Sequence, residues 1–511
     1  MQYRHLIEPR LSRAATTSVT PKYRLPIYVF LNVLFVCYVA VASSLGSNEG
    51  PHLLYLSLLF SVCSTPILLV KKTNDRFSLY TIFFAIYFVS YGMLDVIALT
   101  SAIDSPQVST GLLTSGEVLI LVGGAALAFG YLISAWRGKQ PAFGDDWPMS
   151  SIVVIGSILW AAGTYATWYW NIRLTVRTGQ FDATSGELVT TLLMIGRYAQ
   201  PLGLLILAYA YTISRSKWLV ATMIALAFLQ VALGFASDTK GGAMSAGIIV
   251  IVTGFLVTGK IPKGWAVAGL LFILFGFPIF QAHRAIVVYE RGESNANTAA
   301  DLLKALHQSL EGQNRAAADH PESFFERSSV KSAVEMIVAR TGNDVPFQHG
   351  YTLIPLAMAF IPRLVWPDKL DVQTGQLLDK QFHVTGTGEV YISPSHLGEM
   401  YWNFGWPGAI IGMTLLGMLL GWINNKCDLS TGSSVTRLLI LGITIYQLGV
   451  RFEASIGAEY AVWIRSAVGI LILHWLFARR RAEREATPPS SSNTANPSEG
   501  NMARRFPNLL S

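Results

Sequence analysis

The sequence predicts an all-α, polytopic integral membrane protein, and three observations carry that expectation. Only 14% of its 511 residues are charged while 52% are hydrophobic, and mean hydropathy is +0.42; a soluble globular chain carries roughly 25% charged residues. Apolar runs of about 20 residues, the length needed to cross a hydrocarbon core, recur along the chain. The Lys and Arg residues between those runs fall mostly on alternate sides. This composition sets aside a water-soluble multi-domain enzyme, a disordered chain and a collagen-like fibre. A disulfide-rich module is excluded too, because the three cysteines lack the paired spacing of a disulfide, zinc or redox framework.

In chain order, spans are expected near 25–45, 52–70, 77–99, 112–136, 151–170 and 188–211. Further ones follow near 218–236, 243–257, 265–281, 406–423, 435–450 and 460–477. That makes about twelve transmembrane helices, the runs at 243–257 and 435–450 being the shorter ones. The implied organisation is a cytoplasmic N-terminal tail over 1–24 and membrane helices over 25–282. A large periplasmic loop then covers 283–404, with the last helices over 405–478 and a basic, then disordered, cytoplasmic tail over 479–511. No cleavable signal is expected, since the first run is too long for an h-region and more spans follow it.

The charge pattern orients the chain. With the N-terminus inside, inner loops carry Lys71, Lys72, Arg76, Arg137, Lys139, Arg215, Lys217, Lys260, Lys263 and Lys426, and both tails are basic. Short outer loops hold Arg173, Arg177, Lys240 and Arg451. Both termini are therefore expected in the cytoplasm, and the net charge of +7 needs no nucleic-acid partner. The region 283–404 departs from this pattern with ten basic and fourteen acidic residues, and a connection of that length is usually functional. Within it, 301–315 and 323–340 read as amphipathic helices, the second with Val330, Val334, Ile337 and Val338 on one face. Such a face more often packs on neighbours or lies on the bilayer than binds substrate. The apolar stretch from Tyr351 to Arg363, framed by Pro355 and Pro362, is too short to span and reads as re-entrant or interfacial.

Ionisable residues inside the spans are candidates for function or for structural pairing. Asp95, Glu117, Arg197 and Arg465 are of this kind, and Arg197 paired with Asp95 or Glu117 is one arrangement that would satisfy them. Lys240 opens a helix with two glycines behind it, where amides and a cation converge on an anion. Arg451 closes the penultimate span on the same side. His396 and Glu399 lie three apart and share a helix face. No DxD pair, HExxH or His/Cys cluster accompanies them, so neither a metal nor another cofactor is expected.

Two stretches, Ile361-Pro-Arg-Leu-Val-Trp-Pro-Asp-Lys369 and His396-Leu-Gly-Glu-Met-Tyr-Trp-Asn-Phe-Gly405, resemble the oligosaccharide repeat unit polymerases (O-antigen polymerases) of bacterial surface polysaccharide assembly. The Lys240-Gly-Gly start is similar to an element of that family in which Arg often stands near this position. The layout, with many helices and one large outer loop late in the chain, is similar as well, and is shared by other GT-C-like membrane glycosyltransferases. The resemblance implies transfer of a growing glycan from a polyprenyl diphosphate carrier to another carrier-linked repeat unit, at the periplasmic face of the bacterial inner membrane. Partners implied are the lipid-linked donor and acceptor, the bilayer and, as a candidate, a chain-length regulator. A diphosphate leaving group needs cations, for which Arg363, Lys369, Lys240 and Arg451 stand first, with Arg340 and Arg284 behind them. The acceptor hydroxyl needs a base: Glu399 is the first choice, His396 the second, and Tyr401 a candidate to orient the sugar. An O-antigen ligase and a flippase for lipid-linked sugars are the competing readings; the latter favours internal repeats, which are not evident here.

Overall fold

The computed structural model describes residues 23–45, 51–69, 78–100, 113–135, 149–169, 187–214, 216–236, 240–276, 330–358, 372–384, 393–429 and 434–486, and positions 143, 147, 279–280, 283, 303–304, 306–307, 361 and 366. Among these residues the regular secondary structure is helical, an isolated bridge between Thr341 and Val345 aside. Among the described residues seven helices are long and apolar enough to cross a membrane, and four shorter apolar helices accompany them. The protein is thus an all-α polytopic membrane protein.

In chain order the helices are α1 (Arg24–Leu45), α2 (Pro51–Ser64, extended by Pro66–Leu69), α3 (Leu79–Thr100), α4 (Ser115–Ala135), α5 (Met149–Trp168) and α6 (Glu187–Ser214). They continue with α7 (Lys217–Ala236), α8 (Lys240–Thr258) and α9 (Lys263–Leu271), which runs into a π turn at Phe272–Gly276. Two short helices follow, α10 (Lys331–Arg340) and α11 (Thr374–Phe382). The chain ends with α12 (Ser395–Lys426), α13 (Val435–Thr444, continued as a π-helix over Ile445–Val450) and α14 (Ile456–Ala486). The described helices cover the expected apolar runs in whole or in part. The tenth differs: α12 begins eleven residues before the expected start at Trp406, because the Gly405-Trp-Pro407 sequence breaks a helix instead of opening one. Gly405 has φ 65° and Pro407 follows it inside the helix. The break frees the carbonyls of Trp402 and Asn403, and these accept the amides of Gln348 and His349 at 3.0 and 3.1 Å. A broken helix is tolerated where protein supplies such partners.

Helices meet at glycines. α4 and α12 run parallel, with Gly123 against the Leu397 side chain, Gly130 against the Thr414 backbone, and Gly417 and Gly421 against Leu127, Tyr131 and Ser134. Asn425 closes the seam by donating to the Ser134 carbonyl at 2.9 Å. α5 and α6 run antiparallel, with Gly156 facing Ile206 and Leu207, Gly203 facing the Trp160 backbone, and Gly163 that of Gln200. With lipid tails as apolar as the helices, close backbone approach and interhelical hydrogen bonds carry the packing. Gln200 supplies such bonds, donating to Thr164 at 3.0 Å and to Gln230 at 2.8 Å. An aromatic core of Tyr55, Tyr80, Phe83, Phe84, Tyr87 and Tyr91 fills the space between α2 and α3. Its buried hydroxyls are paired: Tyr55 donates to the Tyr91 carbonyl at 2.8 Å and Tyr87 to that of Ile120.

The amphipathic reading of 323–340 holds over its described part. α10 buries Val334, Ile337 and Val338, with Val330 just before it, and this face packs on α4 and α12. The segment 301–315 lies largely outside the described residues. The described part of the stretch from Tyr351 forms a 3-10 turn (Tyr351–Leu353) and one α turn (Ile354–Ala357).

Candidate active site

One end of the bundle gathers the start of α12, the start of α14, the turn 451–455, the 346–358 segment, α10 and α11. The start of α12 is pinned twice: the amides of Ser395 and His396 donate to the carbonyls of Glu453 and Phe452 at 2.9 and 3.3 Å. The Ser395 hydroxyl, one turn from Glu399, accepts from Tyr91 at 3.1 Å and from the Gly398 amide at 3.2 Å. These bonds satisfy helix-start donors that have no intrahelical partner.

Glu399 is fully buried. Its carboxylate faces the start of α14, accepting the Ile456 amide at 2.6 Å, with the Ser455 hydroxyl at 3.4 Å. The Gly457 amide and the Thr352 hydroxyl complete its partners. The helix start presents to it unpaired amides and the positive end of its dipole. His396, one turn earlier, is also buried, with its ring edge-on to Phe452 and Tyr460 at centroid distances of 4.7 and 5.3 Å. Among the described residues neither of its ring nitrogens has a hydrogen-bond partner. Buried polar atoms without partners carry a desolvation cost, which makes this imidazole a candidate site residue. Tyr401 lies at the edge of this wall, with its ring T-shaped against Trp406.

Arg451 closes the site. It pairs with Glu459 at 2.9 Å, in the first turn of α14, and reaches Gln447 at 3.5 Å. Its side chain is 46% exposed while that of Glu459 is 5% exposed, so the cation faces outward from a buried carboxylate. Glu399 and Arg451, chosen separately from sequence, therefore meet at the same helix start. The π-helix before Arg451 packs on α8, where Ser245 bonds the Tyr446 hydroxyl. Lys240 opens α8 five residues earlier, but its side chain lies outside the described residues, as do Arg363, Lys369 and Arg284. Arg340 is engaged elsewhere: it bonds Asp344 at 2.7 and 2.6 Å through two nitrogens, donates to the Phe382 carbonyl and lies over the Phe382 ring. That bond holds the Asp344 carboxyl below the usual aspartate range, and the geometry ties α10 to α11.

Three residues escaped the sequence reading. Asn403 is fully buried and bonds Thr352 and the Glu399 carbonyl, each at 2.7 Å, while accepting the Gly350 amide at 2.8 Å. It fastens the 350–352 turn over the Glu399 carboxylate. Ser455 bonds both Glu399 and Thr374. The third, Lys331 at the start of α10, pairs with the buried acids. The described partner of Asp95 and Glu117 is this lysine, at 2.7 and 2.8 Å. The side chain of Arg197, named above as one candidate partner, lies outside the described residues. Glu335 stands 3.9 Å away and the Tyr55 ring 4.3 Å below the ammonium. Burial pulls the Lys331 pKa down, but Asp95 and Glu117 outweigh it and hold it above the ordinary lysine value. Burial raises that of Glu335, with Glu117 and Asp95 adding to it against Lys331.

Opposite consequences follow for pH. Lys331 keeps its stabilising charge at every pH below the ordinary lysine range and loses it only as pH rises through its elevated pKa. Glu335 supports the fold in its protonated form and opposes it once pH passes its elevated pKa. The melting temperature of a Glu335→Gln variant should therefore gain on wild type as pH rises from the ordinary glutamate range, about 4.3, to neutrality. A constant difference would contradict this assignment.

One comparison with known families bears on this end of the chain. Residues 368–480 match the family model of O-antigen polysaccharide polymerase Wzy. No curated protein and no solved structure matches the chain. The Wzy match spans α11 to most of α14 and so includes His396, Glu399, Tyr401, Arg451 and Glu459, whereas Lys240 and Lys331 lie before it. With the membrane-spanning helices, it supports a membrane polymerase of lipid-linked repeat units.

Proposed function

We propose that the protein polymerises polyprenyl-diphosphate-linked oligosaccharide repeat units into a surface polysaccharide, with the chemistry at the bundle end that carries Glu399 and Arg451. The observation that carries this reading is the convergence of those two residues on the start of α14, inside the segment that matches the Wzy model. In the reaction, an acceptor sugar hydroxyl attacks the anomeric carbon of the donor glycan. The bond from that carbon to the diphosphate oxygen breaks, and polyprenyl diphosphate leaves with the electron pair. Glu399 takes the hydroxyl proton, and His396 stands one helical turn away as the second candidate for that role. Both are closed off in the resting arrangement, so the 350–352 turn over Glu399 must lift for substrate to reach it; catalytic bonds often form only in the loaded complex. Tyr401 orients the acceptor sugar at the edge of the wall.

Arg451 meets the diphosphate, with Lys240, Arg363 and Lys369 as further cations and Arg340 and Arg284 in reserve, so that the chain itself neutralises the leaving group. Arg451→Ala should lower polymer formation about 100-fold, the cost of removing one donor to a developing anion. Arg451→Lys should restore only part, because the fork geometry is lost. Unchanged chain length in Arg451→Ala would remove this residue from the site.

The distribution of Lys and Arg supports a multi-pass inner-membrane protein with both termini cytoplasmic and this bundle end periplasmic. Deletion of the gene tests the reading in cells. Loss of long chains with a single repeat unit retained on the core is expected; uncapped core with polymer still on its carrier would point to a ligase instead.

A further inference from the structure

We propose that Lys331 is a positioning residue for this reaction: it plugs α10 into an acidic socket made by α3 and α4 and so fixes the start of α12. The inference rests on the reading of Glu399 and His396 as site residues. α10 is only ten residues long and lies outside the membrane helices, yet it is fastened to three of them at once. On α3, the Val330 amide donates to the Ser90 carbonyl at 3.1 Å and the Lys331 ammonium reaches Asp95. On α4, Lys331 reaches Glu117, while Glu335 accepts from the Thr114 hydroxyl at 3.2 Å and covers Gly116. On α12, Ile337 and Val334 close on Gly398, where a Cβ would stand 3.0 and 3.4 Å from them.

Gly398 adjoins Glu399 and lies two residues past His396. Beside the bonds to Glu453, Phe452 and Ile456, this turn is supported by the Tyr91 bond to Ser395, which comes from α3 one turn before Asp95. The socket and the start of α12 therefore share α3, α4 and α10. Among the described residues Lys331 is the cation that pairs with the buried Asp95 and Glu117, their side chains being 15% and 7% exposed. Without it, two carboxylates face each other across the joint, α10 lifts and the turn bearing His396 and Glu399 loses the face it packs on. This differs from a lysine that merely adds stability, because a folded molecule lacking the plug would bind substrate and turn it over slowly.

The test uses full-length protein in liposomes with a polyprenyl-diphosphate-linked repeat unit, comparing wild type, Lys331→Met, Asp95→Asn and the exchanged pair Asp95→Lys with Lys331→Asp. Turnover is normalised to folded protein, and hydrogen exchange is followed at 330–340 and 395–403. Lys331→Met should lower kcat at least tenfold with KM within twofold, and speed exchange in both segments. Asp95→Asn should fall between it and wild type, and the exchanged pair should recover most of the loss. Should Lys331→Met give no folded protein, Asp95→Asn and the exchanged pair decide. Full turnover per folded molecule in Lys331→Met or Asp95→Asn, or unchanged exchange at 395–403, overturns the proposal. If wild type itself makes no polymer, the functional reading fails, while the exchange data still report whether Lys331 holds α10 on α12.

Discussion

Glu399→Gln is expected to reach the membrane at the normal level and to make at least about 100-fold less polymer, the usual loss on removing a general base. The glutamine oxygen can still accept the Ile456 amide, which Glu399 accepts at 2.6 Å, and its NH2 group can donate to the Ser455 hydroxyl. The helix start is thus still capped while the proton acceptor is gone. Glu399→Ala behaves differently. It leaves the amides of Ile456 and Gly457 and the hydroxyls of Thr352 and Ser455 without their shared acceptor. Each buried unpaired group costs about 1–3 kcal/mol, so the alanine variant should also lose protein. Immunoblot and polysaccharide gel on the same cells separate the two effects. Wild-type chain length in Glu399→Gln would reduce Glu399 to a cap for α14 and shift the search for the base to His396.

The other large effect lies in the seam between α4 and α12. A side chain at Gly130 would overlap the carbonyl of Thr414, and one at Gly417 the carbonyl of Leu127. These are backbone atoms of helices locked by their neighbours, so they cannot yield as a flexible side chain would. Gly130→Val should therefore force the helices apart, at a cost above the roughly 1–3 kcal/mol typical of overpacking, and deplete the protein from the membrane. Gly264→Ala, at a position with open space around it, serves as the control and should be tolerated. Normal levels of the Gly130→Val protein, measured by fluorescence size exclusion, would contradict the parallel packing of α4 and α12. The consequence reaches the site, since Gly123 in the same seam receives Leu397, the residue between His396 and Gly398.

Much of this architecture was legible because a bilayer imposes a length and a polarity on each crossing, and runs such as 79–97 and 115–134 meet both. The face of α10 was equally legible from the spacing of Val330, Val334, Ile337 and Val338. Legibility ended where one residue type serves two ends. Gly405 and Pro407 signal an interruption, but nothing local says that a helix continues on the far side. His396 and Glu399 could be paired from their spacing of three, whereas the bond from Glu399 to Ile456 joins residues 57 apart. Lys331 was hidden more deeply, in an ordinary amphipathic pattern, with acidic partners 236 and 214 residues away. Buried acids at Asp95 and Glu117 announce that a cation must exist; only the fold says that it enters from outside the membrane.

The most direct measurement is reconstitution of the purified protein in liposomes with a polyprenyl-diphosphate-linked repeat unit as the only substrate. The expected result is a ladder whose rungs differ by one repeat, each product keeping one lipid diphosphate, with one free polyprenyl diphosphate released per bond formed. Passage of the substrate across the bilayer without elongation, or transfer only when lipid A-core is added, would contradict it.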